Sequence, residues 1–204
     1  MGLLRTSVVT GPSAEPLKLF DIKDHLRIER GETAEDDYLK TLRTAARQRA
    51  EAITNRKLIT QTWAFYLDDW PGEDYITLPY APLSTGTAPV VTYYDSDRSS
   101  NTLSSTAYYS DAVTEPPRLH LTYSDDWPTT TLDEMNPVKV QCVYGYGTAS
   151  SDVPASIRQA MLVMIADSYE ARESFVTGTI VGSYDGKSAM VVDAILAPHR
   201  MYSF

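Results

Sequence analysis

The stretch EDDYLKTLRTAARQRAEAITNRKLITQTWAFYLDDWP, residues 35–71, changes from one periodicity to another and decides the fold. Its first part carries apolar residues at three- and four-residue steps, the pattern of an amphipathic helix. Acidic residues stand at its start and basic residues near its end, as the helix dipole prefers. The sequence therefore predicts a helix over residues 34–54. QTWAFYL, residues 61–67, then alternates as a β-strand does.

Alternating segments continue from there to about residue 150. They include YITLPY at 75–80 and PVKVQCVYGYG at 137–147, and clusters of Pro, Gly, Ser and Asp separate them. Five to seven short strands are expected, forming an antiparallel sheet, sandwich or small barrel. The helical period returns in VPASIRQAMLVMIADSYEARES, residues 153–174, whose simplest packing partner is the helix at 34–54.

These three regimes predict an α+β fold, in which N- and C-terminal helices form a helical bundle with an inserted antiparallel β domain. We expect a flexible N-terminal arm and a Gly-rich connector at 174–188, followed by a short last helix that stops near Pro198. The predicted boundaries are 1–16 for the arm, 17–60 and 151–204 for the bundle, and 61–150 for the β domain.

Charge and composition exclude several classes of protein. The net charge is −9, and residues 61–150 hold only 3 Lys and Arg against 12 Asp and Glu. This acidic block will not hold nucleic acid through its phosphates, which requires clustered Lys and Arg. No apolar run approaches the roughly 20 residues of a membrane span. Cys142 is the only cysteine, so no internal disulfide can form, and its apolar neighbours indicate a buried structural thiol.

The sequence DDWP occurs twice, at 68–71 and 125–128, and each copy follows an alternating strand. The flanking residues differ, so the copies are not a repeated unit. Pro ends a strand ladder because it has no N–H, and Asp caps the turn that follows. The motif is therefore interpreted as two strand ends at which the Trp covers a sheet edge.

Two other functions remain as alternatives for these motifs. Asp68, Asp69, Asp125 and Asp126 could serve as an acidic hydrolase site if the two strand ends meet. Trp70 and Trp127 could instead be stacking platforms of a carbohydrate- or protein-binding β module. No Walker loop, GxGxxG, HExxH or GxSxG motif is present. We therefore predict no catalytic, cofactor-binding or metal-ligating residues, and a protein that is not an enzyme.

Several stretches, in this order, resemble the longer members of one family, the head–tail connector (adaptor) proteins of tailed phages and related particles. Together they extend over about residues 17–200. They are LKLFDIKDHLRIE, the helix-to-strand passage at 35–71, ITLPYAPL, VTYYDSD, the WP before VKVQCVYGYG, VPASIRQAMLVMIADSYEARE and the terminal ILAPHR.

The resemblance implies a structural virion protein at the capsid–tail junction, made in the host cytoplasm and carrying no catalytic residues. It would form a homomeric ring, commonly a dodecamer, under the portal protein. The ring would extend the DNA channel and bind the next neck protein, a stopper or tail terminator. Genomic DNA would pass through the lumen without specific binding, as an acidic lining favours, and no membrane or cofactor is implied.

The end of the chain is the expected portal-binding segment. Aromatic residues and one Arg follow the helix-stopping Pro198, and such residues are common anchors of protein interfaces. The predicted anchors are Leu196, Arg200, Tyr202 and Phe204. A tail that folds back on its own bundle is the alternative.

Overall fold

The computed structural model describes residues 5–171 and 187–202, which form two compact units. The β unit comprises residues 5–13, 60–146 and 201–202. The helical unit comprises residues 14–59, 147–171 and 187–200. The predicted α+β class, with a β region between two sets of helices, is confirmed.

Four helices form the helical unit. They are α1 (Leu19–Leu26), α2 (Asp36–Thr54), α3 (Ala155–Ala171) and α4 (Lys187–Leu196). α2 begins two residues later than predicted and ends at Thr54, because Asn55 adopts the left-handed conformation with φ 55°. Short 3-10 turns cover Ser150–Asp152 and Ala197–His199. The predicted extension of α3 to residue 174 and most of the Gly-rich connector at 174–188 lie outside the described residues.

Helix α3 is the centre of this unit, because it packs against α1, α2 and α4. The expected pairing of α2 with α3 is therefore observed. Each helix contributes residues that are removed from water, and each fully buried Val, Leu, Ile or Met side chain contributes about 1.5–3 kcal/mol to folding. The buried set comprises Ile22, Leu39, Ala46, Ala50, Ile157, Ala160, Met161, Met164, Ile165, Val192 and Leu196.

A buried lysine organises the connection between α1 and α2. The Lys23 ammonium lies 2.5 Å from the Asp36 carboxylate and donates to the Glu32 carbonyl at 2.5 Å. A second donation, to the Arg30 carbonyl, is 3.4 Å long. Because one ammonium donates to two loop carbonyls and forms an ion pair with the first acidic residue of α2, it holds the loop against the start of that helix.

Eight strands form two antiparallel sheets in the β unit. The larger sheet has the order β1-β2-β8-β4-β5, and the smaller has the order β3-β7-β6. The strands are β1 (Arg5–Thr10), β2 (Gln61–Leu67), β3 (Tyr75–Thr77), β4 (Val90–Tyr94), β5 (Ser100–Thr102), β6 (Tyr108–Asp111), β7 (Arg118–Leu121) and β8 (Val138–Tyr144).

Alternation along the strands sends one face of each sheet into a shared core. In β8 every second residue is buried, from Val138 to Tyr144. In β7 it is Leu119 and Leu121 that are buried. The core cluster contains Phe65, Ile76, Leu78, Leu83, Val91, Ala107, Tyr108, Leu119, Val138, Val140, Cys142 and Tyr144.

The prediction of a flexible arm at residues 1–16 is wrong for its central part. Arg5–Thr10 form β1, which pairs with β2 from Arg5↔Tyr66 to Thr10↔Thr62. The pairing has a physical basis in the run Thr6–Thr10, where four of five residues are β-branched and fit a pleated strand. The Thr6 hydroxyl also lies 3.2 Å from the Tyr80 hydroxyl.

Within the described residues, no helix is long and apolar enough to span a membrane.

Candidate functional site

The two DDWP motifs meet through their indoles. Trp70 and Trp127 stack with ring centroids 5.0 Å apart and planes 11° from parallel. Trp70 also meets Tyr93 edge-on at 5.5 Å, and Trp127 Nε1 donates to the Glu73 carbonyl at 2.8 Å. Both indoles are half-buried and pack against the core cluster of the β unit. The pair therefore covers part of that core.

Three of the four aspartates of these motifs pair with a cation or accept a hydrogen bond. Asp68 pairs with Arg5 of β1 at 3.2 Å, and Asp69 accepts from the Trp70 backbone N–H at 2.8 Å. Asp125 accepts from the Thr122 hydroxyl, and Asp126 is exposed. Among the described residues no group of three or more His, Cys, Asp or Glu could hold a metal ion. The contacts of Asp68, Asp69 and Asp125 are those of residues that stabilise turns and strand ends.

One stacking face of each tryptophan is already used. A platform that binds sugar needs an open ring face. The two indoles cover a face of each other, and Tyr93 covers an edge of Trp70. The geometry therefore does not favour the carbohydrate-binding alternative at this position.

The outer face of the smaller sheet carries an aromatic ladder that was not predicted from the sequence. His120 lies between Tyr109 at 5.4 Å and Tyr75 at 6.1 Å, measured between ring centroids. The Arg118 guanidinium lies 4.9 Å from the centroid of the Tyr75 ring. Cross-strand register explains the ladder, since β7 lies between β3 and β6 and His120 faces a Tyr on each. The alternation of β7 indicates from the sequence which of its residues share a face. The strand order β3-β7-β6, which places a tyrosine on each side of His120, cannot be inferred from the sequence.

The thiol of Cys142 is part of the core. Burial raises its pKa to about 12, while a hydrogen bond with Tyr144 acts in the opposite direction. A thiol with such a pKa is almost entirely protonated near neutral pH and is a poor nucleophile. The prediction that Cys142 is buried is confirmed.

The structure separates the predicted portal-binding residues. Tyr202 is 62% exposed and so is available to a partner. Arg200 is half-buried and pairs with Asp193 at 3.0 Å. Leu196 is fully buried, so its assignment as an exposed anchor is wrong. Phe204 lies outside the described residues.

Helix α4 shows why Leu196 was assigned to the wrong surface. The segment AMVVDAIL is apolar nearly all round, so its sequence does not indicate which side faces the bundle. The structure buries Val192 and Leu196, which lie four residues apart on one face, and leaves Met190 and Val191 exposed. The exposed face of α4 could be identified only from the packing.

A histidine connects the last 3-10 turn to the start of α3. His199 Nε2 lies 2.7 Å from the Ser156 hydroxyl oxygen, and Arg56 Nε donates to the His199 carbonyl at 2.6 Å. Partial burial, with a smaller contribution from the Arg56 charge, holds the pKa of His199 below its ordinary value of 6.5. The folded protein therefore favours the neutral ring.

This arrangement predicts a pH dependence of stability. Because the pKa of His199 is lower in the folded state, the contribution of its neutral ring is fully present above the unfolded pKa. That contribution is lost as the pH falls through the folded pKa. We expect the free energy of unfolding to drop more between pH 7.5 and 5.5 in the wild type than in His199→Gln. Urea titrations at both pH values measure this, and equal drops in the two proteins would contradict it.

Comparison with known proteins identifies the fold. No family model matches the chain, and no curated protein matches it. A chain from the neck of an empty GTA particle, computed with C6 symmetry, has a TM-score of 0.78 and 23% identity, over 98% of this chain and 97% of that one. A chain from the virion of a native gene transfer agent (GTA) particle has a TM-score of 0.76 and 22% identity, over 98% and 96%.

A third chain, from the neck of a native GTA particle computed with C12 symmetry, has a TM-score of 0.72 and 22% identity, over 98% of this chain and 97% of that one. The likeness extends over nearly the full length of all these chains. This chain is therefore similar in fold to proteins found in gene transfer agent particles.

Proposed function

We propose that this chain is a structural protein of the neck of a tailed virion or virion-like particle. In this role it is a head–tail connector that forms a homomeric ring, commonly a dodecamer, at the capsid–tail junction. The observation that carries the proposal is the fold similarity to a GTA neck chain, with a TM-score of 0.78 over 98% of this chain. The ordered stretches that resemble the connector family support the same role independently.

The proposed partners follow from that position. The ring would bind the portal protein on one side and the next neck protein, a stopper or tail terminator, on the other. Genomic DNA would pass through the lumen without specific binding. The 12 acidic residues against 3 basic ones in residues 61–150 favour this, because they repel a phosphate backbone. The role is structural and requires no catalytic residue or cofactor.

The mass of the purified full chain tests this proposal, first alone and then mixed with the portal protein of the same particle. A closed ring of the chain, or a monomer that becomes a ring on the portal, is expected because head-to-tail contacts with cyclic closure build channels. A chain that stays monomeric with and without the portal would contradict the proposal.

The last residues of the chain remain the proposed portal anchors, with Leu196 removed from the set. Tyr202 carries the prediction because it is exposed and lies beyond the last helix. Interface hot spots, in which tyrosine is enriched, cost about 2 kcal/mol or more on truncation. We expect Tyr202→Ala to weaken portal binding by about tenfold or more, measured by titration of labelled chain with portal rings.

Tyr123→Ala is the matched control, because Tyr123 is also exposed but lies far along the chain from the terminal segment. Its portal affinity should stay within about twofold of the wild type. A second test is the chain truncated after Met201, which keeps the buried Met201 side chain. Unchanged portal binding by that truncated chain would reject the terminal segment as an anchor.

A further inference from the structure

One edge of the larger sheet, β1, has no charge and no Pro over Thr6–Thr10, although its pairing with β2 shifts register between Val8 and Thr10. β1 pairs with β2 on one side, and on its other side no strand pairs with it within the described residues. Val8 and Val9 are 54% and 46% exposed. An open edge presents unpaired N–H and C=O groups that can accept a strand from another chain.

The composition of β1 makes its edge receptive. From Thr6 to Thr10 the strand has no charged residue and no Pro, and four of the five residues are β-branched. Natural edge strands usually carry Lys, Pro or inward-pointing charges that prevent strand addition. Short uncharged segments with high β-propensity are the ones that pair most readily.

The one charged residue of β1 is directed back into its own unit. The Arg5 guanidinium contacts the Asp68 carboxylate at 3.2 Å and donates to the Asn136 side chain. Asp68 stands directly after β2, and Asn136 stands shortly before β8. These contacts hold the start of β1 against its own sheet. The stretch Thr6–Thr10 therefore has no charged side chain that would oppose pairing with another strand.

The opposite edge of the same sheet is β5, which pairs only with β4 among the described strands. Ser100 and Thr102 are exposed, and the Asn101 side chain is tied to Asp95 at 3.3 Å and to the Ser99 carbonyl at 3.1 Å. These hydrogen bonds fix the hairpin that presents β5. The sheet therefore offers two different edges, and the β5 edge is short, polar and preformed.

We propose that the edge of β1 in one copy of this chain pairs with the edge of β5 in the next copy. The inference rests on the proposed ring, because cyclic closure needs two different surfaces on every copy. Strand addition supplies affinity through main-chain hydrogen bonds, and it covers the exposed valines of β1. A β1–β1 contact would use one surface twice and would give a closed dimer instead of a ring.

Hydrogen exchange on the full-length wild-type chain tests the contact directly. Those amides within residues 6–10 and 100–102 that face away from β2 or β4 should exchange at least tenfold more slowly in rings than in the monomer, because strand pairing protects N–H groups. Rings in which neither segment gains protection would overturn the β1–β5 contact and leave the proposed function intact. A chain that forms no ring, alone or on the portal, would overturn both.

A charge placed on the edge provides a second test. Val9→Lys should raise the protein concentration needed for half-assembly at least tenfold, because Lys on an edge strand opposes strand addition. Val113→Lys is the matched control, since Val113 is exposed and lies outside both edge strands. Equal assembly of the two variants would contradict the proposal.

Engineered cysteines can identify the neighbouring strand. Val8→Cys or Val9→Cys, each combined with Ser100→Cys or Thr102→Cys, places thiols on the two edges of one chain. Cα atoms must lie within about 7 Å for a disulfide, so only copies that pair edge to edge will link. At least one combination should give a ladder of multimers on oxidation. A single variant has one engineered thiol and can form no product larger than a dimer. Cys142 is buried and should not react. Ladders from none of the four combinations, in rings of normal mass, would overturn the contact.

Discussion

We expect Arg47→Ala to lower the free energy of unfolding of the helical unit by about 3–5 kcal/mol, the usual cost of removing one partner of a buried ion pair. Arg47 lies on α2 and is buried. Its Nε contacts Glu15 Oε2 at 2.9 Å, and its Nη1 contacts Glu51 Oε2 at 3.5 Å. The guanidinium thereby joins the segment before α1 to α2.

The cost is large because two carboxylates depend on this guanidinium. Glu51 Oε1 also accepts from the Leu58 backbone N–H at 3.1 Å, and Glu15 Oε1 accepts from the Thr44 hydroxyl at 3.1 Å. These hydrogen bonds hold both carboxylates in place when Arg47 is removed. Each carboxylate would then remain poorly solvated and without the guanidinium that it contacts.

Lys57 should offset part of the loss of unfolding free energy in Arg47→Ala and so favours the lower end of the expected range. Burial holds the pKa of Lys57 below its ordinary value, with Glu51 raising it and Arg47 lowering it by smaller amounts. Removing Arg47 removes one of the two influences that lower this pKa. The Lys57 ammonium then becomes a better partner for Glu51 and offsets part of the loss.

Arg49→Ala is the matched control, because Arg49 lies on the same helix but is exposed. Its effect should stay within about 0.5 kcal/mol, as for most surface substitutions. Urea unfolding followed by circular dichroism at 222 nm reports on the helices. A loss below about 1 kcal/mol for Arg47→Ala would mean that the pair behaves as a surface ion pair and that the network does not stabilise the unit.

The parts of the fold that sequence periodicity revealed are those determined by local pattern. The apolar stripe of α2 ran over five turns, and the alternation of β8 was regular, so each element's type and inward face were readable. β1 was not recognised, although its β-branched run was visible. Its partner lies about 60 residues away, as in the pair Arg5↔Tyr66, and nothing local indicates such a pairing.

The candidate sites show the same division. The first DDWP motif directly follows β2, as interpreted, whereas the second begins four residues after the end of β7. The stacking of Trp70 on Trp127 depends on which strands neighbour each other. Leu196 was misassigned because α4 is apolar nearly all round, and only packing against the other helices selects the buried side. Sequence therefore indicated the residue types of these surfaces and left their exposure undetermined.

The β unit gives the second large expected effect. Phe65→Ala should lower the free energy of unfolding of that unit by about 3–5 kcal/mol, the range for truncating a buried Phe. Phe65 is 1% exposed and lies on β2, where it is paired with Thr6 of β1 and Val140 of β8. Truncation would leave a cavity inside the core cluster, and a sheet hydrogen-bonded on both sides of β2 can collapse into it only in part.

Tryptophan fluorescence is the suitable measurement, because all three tryptophans, Trp63, Trp70 and Trp127, lie in the β unit. Phe20→Ala makes the same substitution at a Phe that is 43% exposed and contacts Lys18 and Arg30 through its ring face. That control should cost about 1 kcal/mol or less in the transition at 222 nm, the value of an exposed cation–π contact. It should leave the fluorescence transition unchanged if the two units unfold separately. Similar losses for the two variants would show that the cost does not come from the buried core around Phe65.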